Sequence, residues 1–262
     1  MNSSHTAAPA DPLPWTPMPL IAPPAFRPWI VRCRDDAHAA GEAARAVLDA
    51  RVRSPGPTFA LALSGGRSGA RFGAELLRQA ASRGMRLDDV DFFWADERCV
   101  PANHEESNYR LAHAALLRPL AVAEARQHRL AGEAPPVEAA RRANADWARW
   151  LAARGPGQPG LDVVVLGVGE DGHIASLFPA NLAADLAAPE PFRAVTGPKP
   201  PPQRLTMGFS LLAKARLAVV LATGTGKAEV VAGSLRGTLD TPLARLLALR
   251  ATQGETVIVC GR

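Results

Sequence analysis

A short apolar run in the middle of the chain constrains the fold more than any other feature. Residues 161–166 read Leu-Asp-Val-Val-Val-Leu, are rich in β-branched side chains and run into glycines. Such a run predicts a strand that is buried on both faces of a parallel sheet. Glu170, Asp171 and His173 follow its carboxyl end, at the edge where open α/β sheets bind their ligands. We therefore expect the chemistry of this chain at residues 167–173.

The same stretch has the glycine spacing of a dinucleotide-binding fingerprint, Gly167-Val-Gly169-Glu-Asp-Gly172. That fingerprint needs a helix that opens at the last glycine and holds a pyrophosphate at its N-terminus. Here Pro179 follows after six residues, and the Ala/Pro-rich stretch 180–191 contains no second strand pattern. The context therefore argues against a dinucleotide site.

Strand and helix patterns alternate along the rest of the chain. The further strands are predicted at 29–33, 58–63, 90–94, 193–196, 204–207, 217–222 and 256–260. The helices are predicted at 35–53, 70–82, 107–117, 138–153, 226–235 and 242–249. Because strands and helices alternate without internal repeats, the sequence predicts an α/β, Rossmann-like fold: a mostly parallel sheet with helices on both faces.

The N-terminal region differs from the rest in composition. Residues 1–28 contain eight prolines and show almost no periodicity, which predicts a disordered extension without an assigned function. We expect residues 29–262 to form a single α/β domain.

Charge and cysteine usage exclude several classes of protein. The formal net charge is +5, but 27 of the 30 basic residues are arginines, and none of them alternate with aromatic residues in a basic block. Nucleic-acid binding is therefore not expected, whereas scattered arginines suit a phosphorylated small molecule. The three cysteines lie far apart without CxxC spacing, so neither a zinc site nor a disulfide framework is expected.

Membrane and secretory signals are absent from the sequence given. No apolar run approaches the roughly 18 residues of a membrane span. The first basic residue is Arg27, and prolines interrupt the stretch before it, unlike a secretory signal. A cytoplasmic location without membrane association is the expectation.

A glycine-rich turn joins the strand at 58–63 to the following helix. It reads Ser64-Gly-Gly-Arg-Ser-Gly69, which exposes backbone N–H groups at a helix N-terminus. We expect Ser64, Gly65, Gly66, Arg67 and Ser68 to bind phosphate or another oxyanion, the alternative being a plain glycine turn. No Gly-Lys-Ser/Thr follows at Walker spacing.

A second turn, Thr223-Gly-Thr-Gly-Lys227, also falls short of a Walker loop. Leu221 stands where its first glycine belongs, and Ala228 replaces the magnesium-binding hydroxyl. Nucleotide hydrolysis is thus not supported. Lys227 at a strand-to-helix turn is either a phosphate contact or a solvated lysine.

A charged triplet, Asp96-Glu-Arg98, ends another predicted strand. We expect this triplet to lie at the same sheet edge as His173 and to take part in the site. The alternative is a solvated loop without a function. There Arg98 is expected to contact phosphate or the substrate carbonyl, and Asp96 to contact substrate hydroxyls. Ser107, further on, is expected to cap a helix.

His173 is the expected catalytic group. Asp171, two residues earlier, is placed to orient the imidazole or to raise its pKa. No Gly-x-Ser-x-Gly elbow occurs, so a serine nucleophile is not supported. A histidine that activates water is the simplest chemistry that these residues allow.

Four segments resemble the 6-phosphogluconolactonases and occur in the order of that family. They are LALSGGRSGARF, FFWADERCVPANHEESN, LDVVVLGVGEDGHIASLFP and RLTMGFSLLAKARLAVVLATGTGKAEVV, which together span residues 61–231. The resemblance implies the α/β fold shared with glucosamine-6-phosphate deaminases and ribose-5-phosphate isomerases. It also implies hydrolysis of 6-phospho-D-glucono-1,5-lactone to 6-phosphogluconate in the pentose phosphate pathway, with no metal or other cofactor.

The resemblance assigns roles to individual positions. His173 matches the general base of the family, and residues 65–68 match its phosphate loop. Arg98, Arg204 and Lys227 match basic positions around the substrate. For the oxyanion of the reaction, backbone N–H groups near Gly167–Gly172, Gly169 among them, or the Arg98 side chain are the expected donors. One departure is Gly69, where the family commonly has proline, so the turn is expected to be less rigid.

Two alternatives remain open at this level. The related deaminases carry a carboxylate five residues after the histidine, where this chain has Phe178, so a deaminase-like sugar-phosphate isomerase is disfavoured. A non-catalytic sugar-phosphate-binding protein is the other alternative. The expected partner is a phosphorylated sugar lactone, bound by a monomer or weak homodimer.

Overall fold

The computed structural model describes residues 16–17, 28–54, 56, 58–155 and 160–261. Apart from residues 16, 17 and 28, the predicted N-terminal extension lies outside the described residues. Thr16–Pro17 pairs antiparallel with Trp29–Arg32 at one border of the sheet.

Eleven strands occur in the described part of the chain. In chain order they are β1 (Thr16–Pro17), β2 (Trp29–Arg32), β3 (Phe59–Leu63), β4 (Val90–Trp94), β5 (Asp96–Arg98), β6 (Gln127–His128), β7 (Val163–Gly167), β8 (Phe192–Thr196), β9 (Gln203–Met207), β10 (Leu217–Ala222) and β11 (Glu255–Cys260). Eight of them form the main sheet in the order β1-β2-β11-β10-β7-β3-β4-β6. All pairs except β1–β2 are parallel, which confirms the predicted α/β fold with a mostly parallel sheet.

The strand order reverses between β3 and β7. From β3 the chain continues outward to β4 and β6, whereas from β7 it continues in the opposite direction to β10 and β11. The ladder between β3 and β7 is short and ends at the pair Ala62–Val164. A reversal of this kind leaves a crevice at the carboxyl ends of the two strands, where open α/β sheets bind ligands.

A second sheet was not predicted. β5, β9 and β8 form an antiparallel sheet apart from the main one. The chain leaves the main sheet at Ala95, whose N–H donates to the Leu63 carbonyl. The segments 193–196 and 204–207 were therefore correctly predicted as strands, but their partners are each other and a short charged strand, which periodicity does not reveal.

Helices connect the parallel strands. They are α1 (Asp36–Val52), α2 (Gly66–Ser82), α3 (Asn108–Ala112), α4 (Pro136–Arg154), α5 (Leu182–Ala187), α6 (Phe209–Leu212), α7 (Lys227–Arg236) and α8 (Pro242–Arg250). Local sequence sets several of their starts: Asp35 accepts a hydrogen bond from the His38 N–H, and Thr241 accepts one from the Ala244 N–H ahead of a first-turn proline. In the described part of the chain, the helices are all too short or too polar to cross a bilayer.

One buried arginine ties α8 to its neighbours. Arg250 is fully buried and donates to the carbonyls of Leu212, Ala213 and Ala215, at and just after the end of α6. Burial lowers the pKa of Arg250 to about 10. Because its hydrogen bonds satisfy carbonyls at a helix end, the guanidinium acts as a side-chain cap supplied by another element.

Candidate active site

Three of the predicted loops meet at one edge of the sheet. They follow β3 (residues 64–69), β7 (168–173) and β10 (223–227), and these three strands are neighbours. The Oγ atom of Ser68 lies 2.8 Å from Oγ1 of Thr223, so a hydrogen bond joins the first loop to the third. The structure therefore brings the glycine-rich turn, the histidine and Lys227 to the same crevice edge.

The histidine is held by the aspartate that precedes it. Nδ1 of His173 lies 2.6 Å from Oδ1 of Asp171, which also accepts the His173 backbone N–H at 3.1 Å. Burial would raise the pKa of Asp171, but the hydrogen bonds from the His173 ring and backbone outweigh it and lower that pKa. The ionised carboxylate only accepts, so Nδ1 carries the proton and Nε2 is left as the basic atom. The His173 side chain is 33% exposed, which leaves Nε2 a route to water.

Gly169 makes room for that histidine. A Cβ at this position would overlap the His173 ring and the Asp171 carboxylate, so the loop conformation requires glycine. The Gly169 N–H donates to the His173 carbonyl at 2.9 Å. The loop itself therefore uses this donor, and an oxyanion role for the N–H groups of residues 167–172 stays a prediction.

Phe178 forms a wall beside the histidine. Its ring centroid lies 4.9 Å from that of His173, and the residue is buried. On its other side a Cβ at Gly197 would meet the ring at 2.9 Å. The aromatic ring thus stands between the His173 loop and the hairpin that joins β8 to β9.

The glycine-rich turn leaves the N-terminus of α2 uncapped by any side chain. Gly65 occupies the cap position, and Gly66 has a positive φ of 73°, which favours glycine. Uncapped N–H groups and the helix dipole make such an end an anion site. The Oγ atom of Ser64 is buried and has no hydrogen-bond partner among the described residues. The side chain of Arg67 lies outside the described part, so its predicted phosphate contact stays a prediction.

Gly69 departs from the family pattern for a reason visible in the turn. A Cβ at this position would overlap the Ser64 carbonyl oxygen. The turn as it stands is therefore closed by a close backbone approach that glycine permits.

Lys227 begins α7 directly after Gly226, whose φ of 81° is again one that glycine favours. In the part of the chain that the structure describes, its ammonium group has no hydrogen bond or ion pair. An unpaired cation at a helix start beside the α2 turn suits a phosphate group.

The two arginines of the small sheet are opposite each other. Arg98 of β5 pairs in register with Arg204 of β9. Arg98 donates to a carboxylate oxygen and to the carbonyl of Glu106, both at 2.8 Å. Arg204 is 7% exposed, and within the described residues its side chain donates only to the carbonyls of Pro201 (2.6 Å) and Lys199 (3.1 Å). The Arg204 side chain therefore holds the β8–β9 hairpin, a contact that the predicted substrate role did not include.

Arg204 forms no ion pair within the described residues, and its charged neighbours act on it in opposite directions. Burial, and after it the charge of Arg98, lowers its pKa, whereas the carboxylates of Asp96 and Glu106 raise it. Two like charges side by side favour a nearby anion. The Glu106 carboxylate, which pairs with Arg98 at 2.8 Å, already supplies one such anion.

Asp96 is buried and has protein partners on both carboxylate oxygens. Its Oδ2 accepts the Ser176 hydroxyl at 2.8 Å, its Oδ1 accepts the Asn108 Nδ2 at 3.2 Å, and only 7% of the residue is exposed. The expected contact with substrate hydroxyls stays a prediction, and these partners show a structural role for Asp96 that the sequence did not indicate.

Glu97 is buried and anchors the start of α3, a role that the sequence analysis did not predict. Its carboxylate accepts the Ser107 hydroxyl at 3.0 Å and the N–H groups of Asn108 and Tyr109, each at 2.8 Å. Ser107 itself accepts from the Arg110 N–H, which confirms the predicted cap. The sequence offered one usable signal, a serine and an asparagine shortly after the acidic pair, but not their burial.

No group of three or more histidine, cysteine, aspartate or glutamate residues within the described ranges is arranged to hold a metal ion.

The fold and the site define a class: α/β enzymes that hold a phosphorylated small molecule at the carboxyl edge of a parallel sheet. Residues 34–258 match the family described as glucosamine-6-phosphate isomerases/6-phosphogluconolactonase, and the chain belongs to this family.

Relatives and solved structures agree with that assignment. The chain is 36% identical over 208 residues to the 6-phosphogluconolactonase of Mycobacterium leprae, covering 76% of this chain and 80% of the relative. It is 36% identical over 211 residues to that of Homo sapiens, covering 79% and 78%. The solved 6-phosphogluconolactonase from Trypanosoma cruzi superposes with a TM-score of 0.77 at 27% identity, covering 90% of this chain and 95% of that one.

Proposed function

We propose that this chain hydrolyses 6-phospho-D-glucono-1,5-lactone to 6-phospho-D-gluconate, the second step of the oxidative pentose phosphate pathway. One observation carries the proposal: His173, held at Nδ1 by Asp171, lies on the same sheet edge as an uncapped helix N-terminus and an unpaired lysine. A base and an anion site on one edge fit a substrate that carries both a phosphate and a reactive carbonyl. The similarity to proteins named 6-phosphogluconolactonase supports this substrate.

The phosphate binds at the start of α2. Backbone N–H groups of residues 65–68 donate to its oxygens, and Lys227 neutralises part of its charge. The phosphate is remote from the reacting carbonyl, so its binding energy fixes the orientation of the lactone without changing the chemistry.

His173 supplies the acid–base chemistry. Nε2 removes a proton from water as the water oxygen attacks the lactone carbonyl carbon, which gives a tetrahedral intermediate. Asp171 stabilises the imidazolium that forms, because it is already hydrogen-bonded to Nδ1. The imidazolium then returns the proton to the ring oxygen as the carbon–oxygen bond breaks. One water is consumed, and the products are a carboxylic acid and a hydroxyl group on one open chain.

A deaminase-like isomerase would need a carboxylate near the histidine, and this chain has none at the corresponding position. Phe178 is at the position where the deaminases carry that group, and its ring packs against His173. A hydrocarbon wall there shields the imidazole but moves no proton. The site therefore favours hydrolysis over opening of an amino-sugar ring.

The experiment is hydrolysis of freshly generated lactone, followed by NMR beside a control without protein. His173→Ala is expected to lose about 100- to 10,000-fold in kcat, the usual contribution of a general acid–base group. His113→Ala, a histidine at the end of α3, is the matched control and should keep wild-type activity. Equal activity of wild type and His173→Ala would support the lactonase activity but would show that His173 is not the general base. Background rates in all samples would overturn the lactonase itself.

The proposal extends to the state of the molecule. We propose one domain over residues 29–262, acting as a monomer or weak homodimer in the cytoplasm, where the free cysteines 33, 99 and 260 fit a reducing compartment. Sedimentation at several concentrations tests the oligomeric state, and cell fractionation tests the location.

A further inference from the structure

The main-chain ladder does not hold the phosphate loop to the histidine loop. Pairing between β3 and β7 ends at Ala62–Val164. Leu63 and residues 165–167, which lead into the two loops, are unpaired with each other. The crevice that admits a ligand is therefore also a gap in the sheet, and something else must set its width.

A network of buried side chains bridges this gap. The Asn108 carboxamide lies against Gly65 of the phosphate loop, where any Cβ would overlap it. Its Nδ2 donates to the Asp96 carbonyl at 2.9 Å and to the Asp96 carboxylate at 3.2 Å. The other carboxylate oxygen accepts the Ser176 hydroxyl at 2.8 Å, three residues beyond His173.

The network is sealed from water and further fixed at its far end. Asn108 is 2% exposed and Ser176 is 1% exposed. The Ser176 N–H donates to the hydroxyl of Thr206, a fully buried residue of β9, at 3.2 Å. Hydrogen bonds in such surroundings are strong, and water does not replace a lost partner; Oδ1 of Asn108, which lies against Gly65, has no hydrogen-bond partner among the described residues.

We propose that Asn108 and Ser176 are positioning residues which, through Asp96, set the distance between the phosphate loop and His173. The inference rests on the proposed function, in which the phosphate is held on one side of the gap and the carbonyl reacts on the other. A substrate fixed at its phosphate reaches the base in the correct geometry only if that distance is right. A misplacement of about 1 Å is enough to cost roughly 100-fold in rate.

The first test separates positioning from binding. Ser176→Ala removes one hydroxyl and is compared with Ser210→Ala, whose hydroxyl donates to the Glu190 carbonyl outside the network. We expect Ser176→Ala to lower kcat on the phosphorylated lactone about 10- to 100-fold. Calorimetric titration with 6-phosphogluconate should give an affinity within threefold of wild type and an unchanged stoichiometry. A loss of folded protein would instead lower the stoichiometry.

The second test asks whether the two residues act as one unit. Asn108→Ala breaks the network from the phosphate side, so it should lower kcat by a similar factor. The double variant should be no slower than the slower single variant, within twofold, because residues that act as a unit are not additive.

Three results would overturn the inference. They are a kcat of Ser176→Ala within twofold of wild type, a parallel fall of kcat and binding stoichiometry, and losses that multiply in the double variant. Each requires a wild type that hydrolyses the lactone. A wild type at the rate of the control without protein overturns the proposed function, and the positioning role with it.

Discussion

At the scale of single residues, the site depends on which nitrogen of His173 holds the proton. Asp171 fixes that proton on Nδ1, because its carboxylate accepts and never donates. In Asp171→Asn the amide can donate to Nδ1 and so place the proton on Nε2, which removes the base. We expect kcat to fall about 100-fold or more, as for wrong-tautomer variants of histidine enzymes. Glu170→Gln, at an exposed neighbouring position, is the matched control in the same kinetic assay. A similar fall of kcat in both variants would mean that the negative charge of the loop matters, and not the position of the proton on His173.

Lys227 acts on binding and not on the reacting carbon. Lys227→Ala should raise KM about tenfold and leave kcat within twofold, because the lysine contacts the phosphate equally in the ground and transition states. Lys214→Ala, an exposed lysine after α6, is the control. The wild-type KM should rise with ionic strength, and that rise should be smaller in Lys227→Ala, since salt screens the attraction. An unchanged KM in Lys227→Ala would remove this residue from the phosphate site.

At the scale of elements, α3 is anchored by a carboxylate instead of by a long hydrophobic face. Burial raises the pKa of Glu97 above the ordinary 4.5 of glutamate, although the N–H groups of Tyr109, Asn108 and Arg98 oppose the shift. A carboxyl whose pKa is higher in the folded state binds its proton more tightly there. Its contribution to stability is therefore largest below pH 4.5 and declines as pH rises through the raised pKa.

The pH dependence of one variant tests this anchor. Glu97→Gln does not titrate, so the free energy of unfolding of wild type minus that of the variant isolates the carboxyl. We expect this difference, measured by urea unfolding from pH 4 to 8, to be largest at pH 4 and to decrease with rising pH. A difference that grows with pH would mean that the hydrogen bonds outweigh burial and that the carboxylate is the stabilised form.

The elements also show how far sequence reasoning extends. The strands of the main sheet were predictable because β-branched runs such as 217–222 are apolar on both faces. β5 was not, since Asp96–Arg98 is charged and is a strand only through its pairing with β9. The loop positions of the site followed from parallel strands sharing an edge. The roles of Asn108 and Ser176 did not, because nothing in their local sequence marks them as buried or reveals a partner 12 or 80 residues away.

At the scale of the whole molecule, the site and the core form one structural unit. A single cluster of buried apolar residues runs through the described part of the chain and includes β3, β7 and β10, whose ends carry the three loops. A ligand that joins these loops stabilises every element packed on the same strands. Ligand binding should therefore shift one cooperative transition and not melt the site separately.

That expectation has a magnitude. At about 100 times its Kd, 6-phosphogluconate should stabilise the folded state by about 2.7 kcal/mol, which for a chain of this size raises Tm by about 5–10 °C. Lys227→Ala at the same ligand concentration should show a smaller rise, because it binds the phosphate more weakly. Calorimetry checks both values. Two unfolding transitions, of which the ligand shifts only one, would mean that residues 29–262 contain two units that unfold separately. The three loops would then belong to the unit whose transition shifts. A single transition that moves as a whole means that the crevice, although a gap in the strand ladder, is built into the one core.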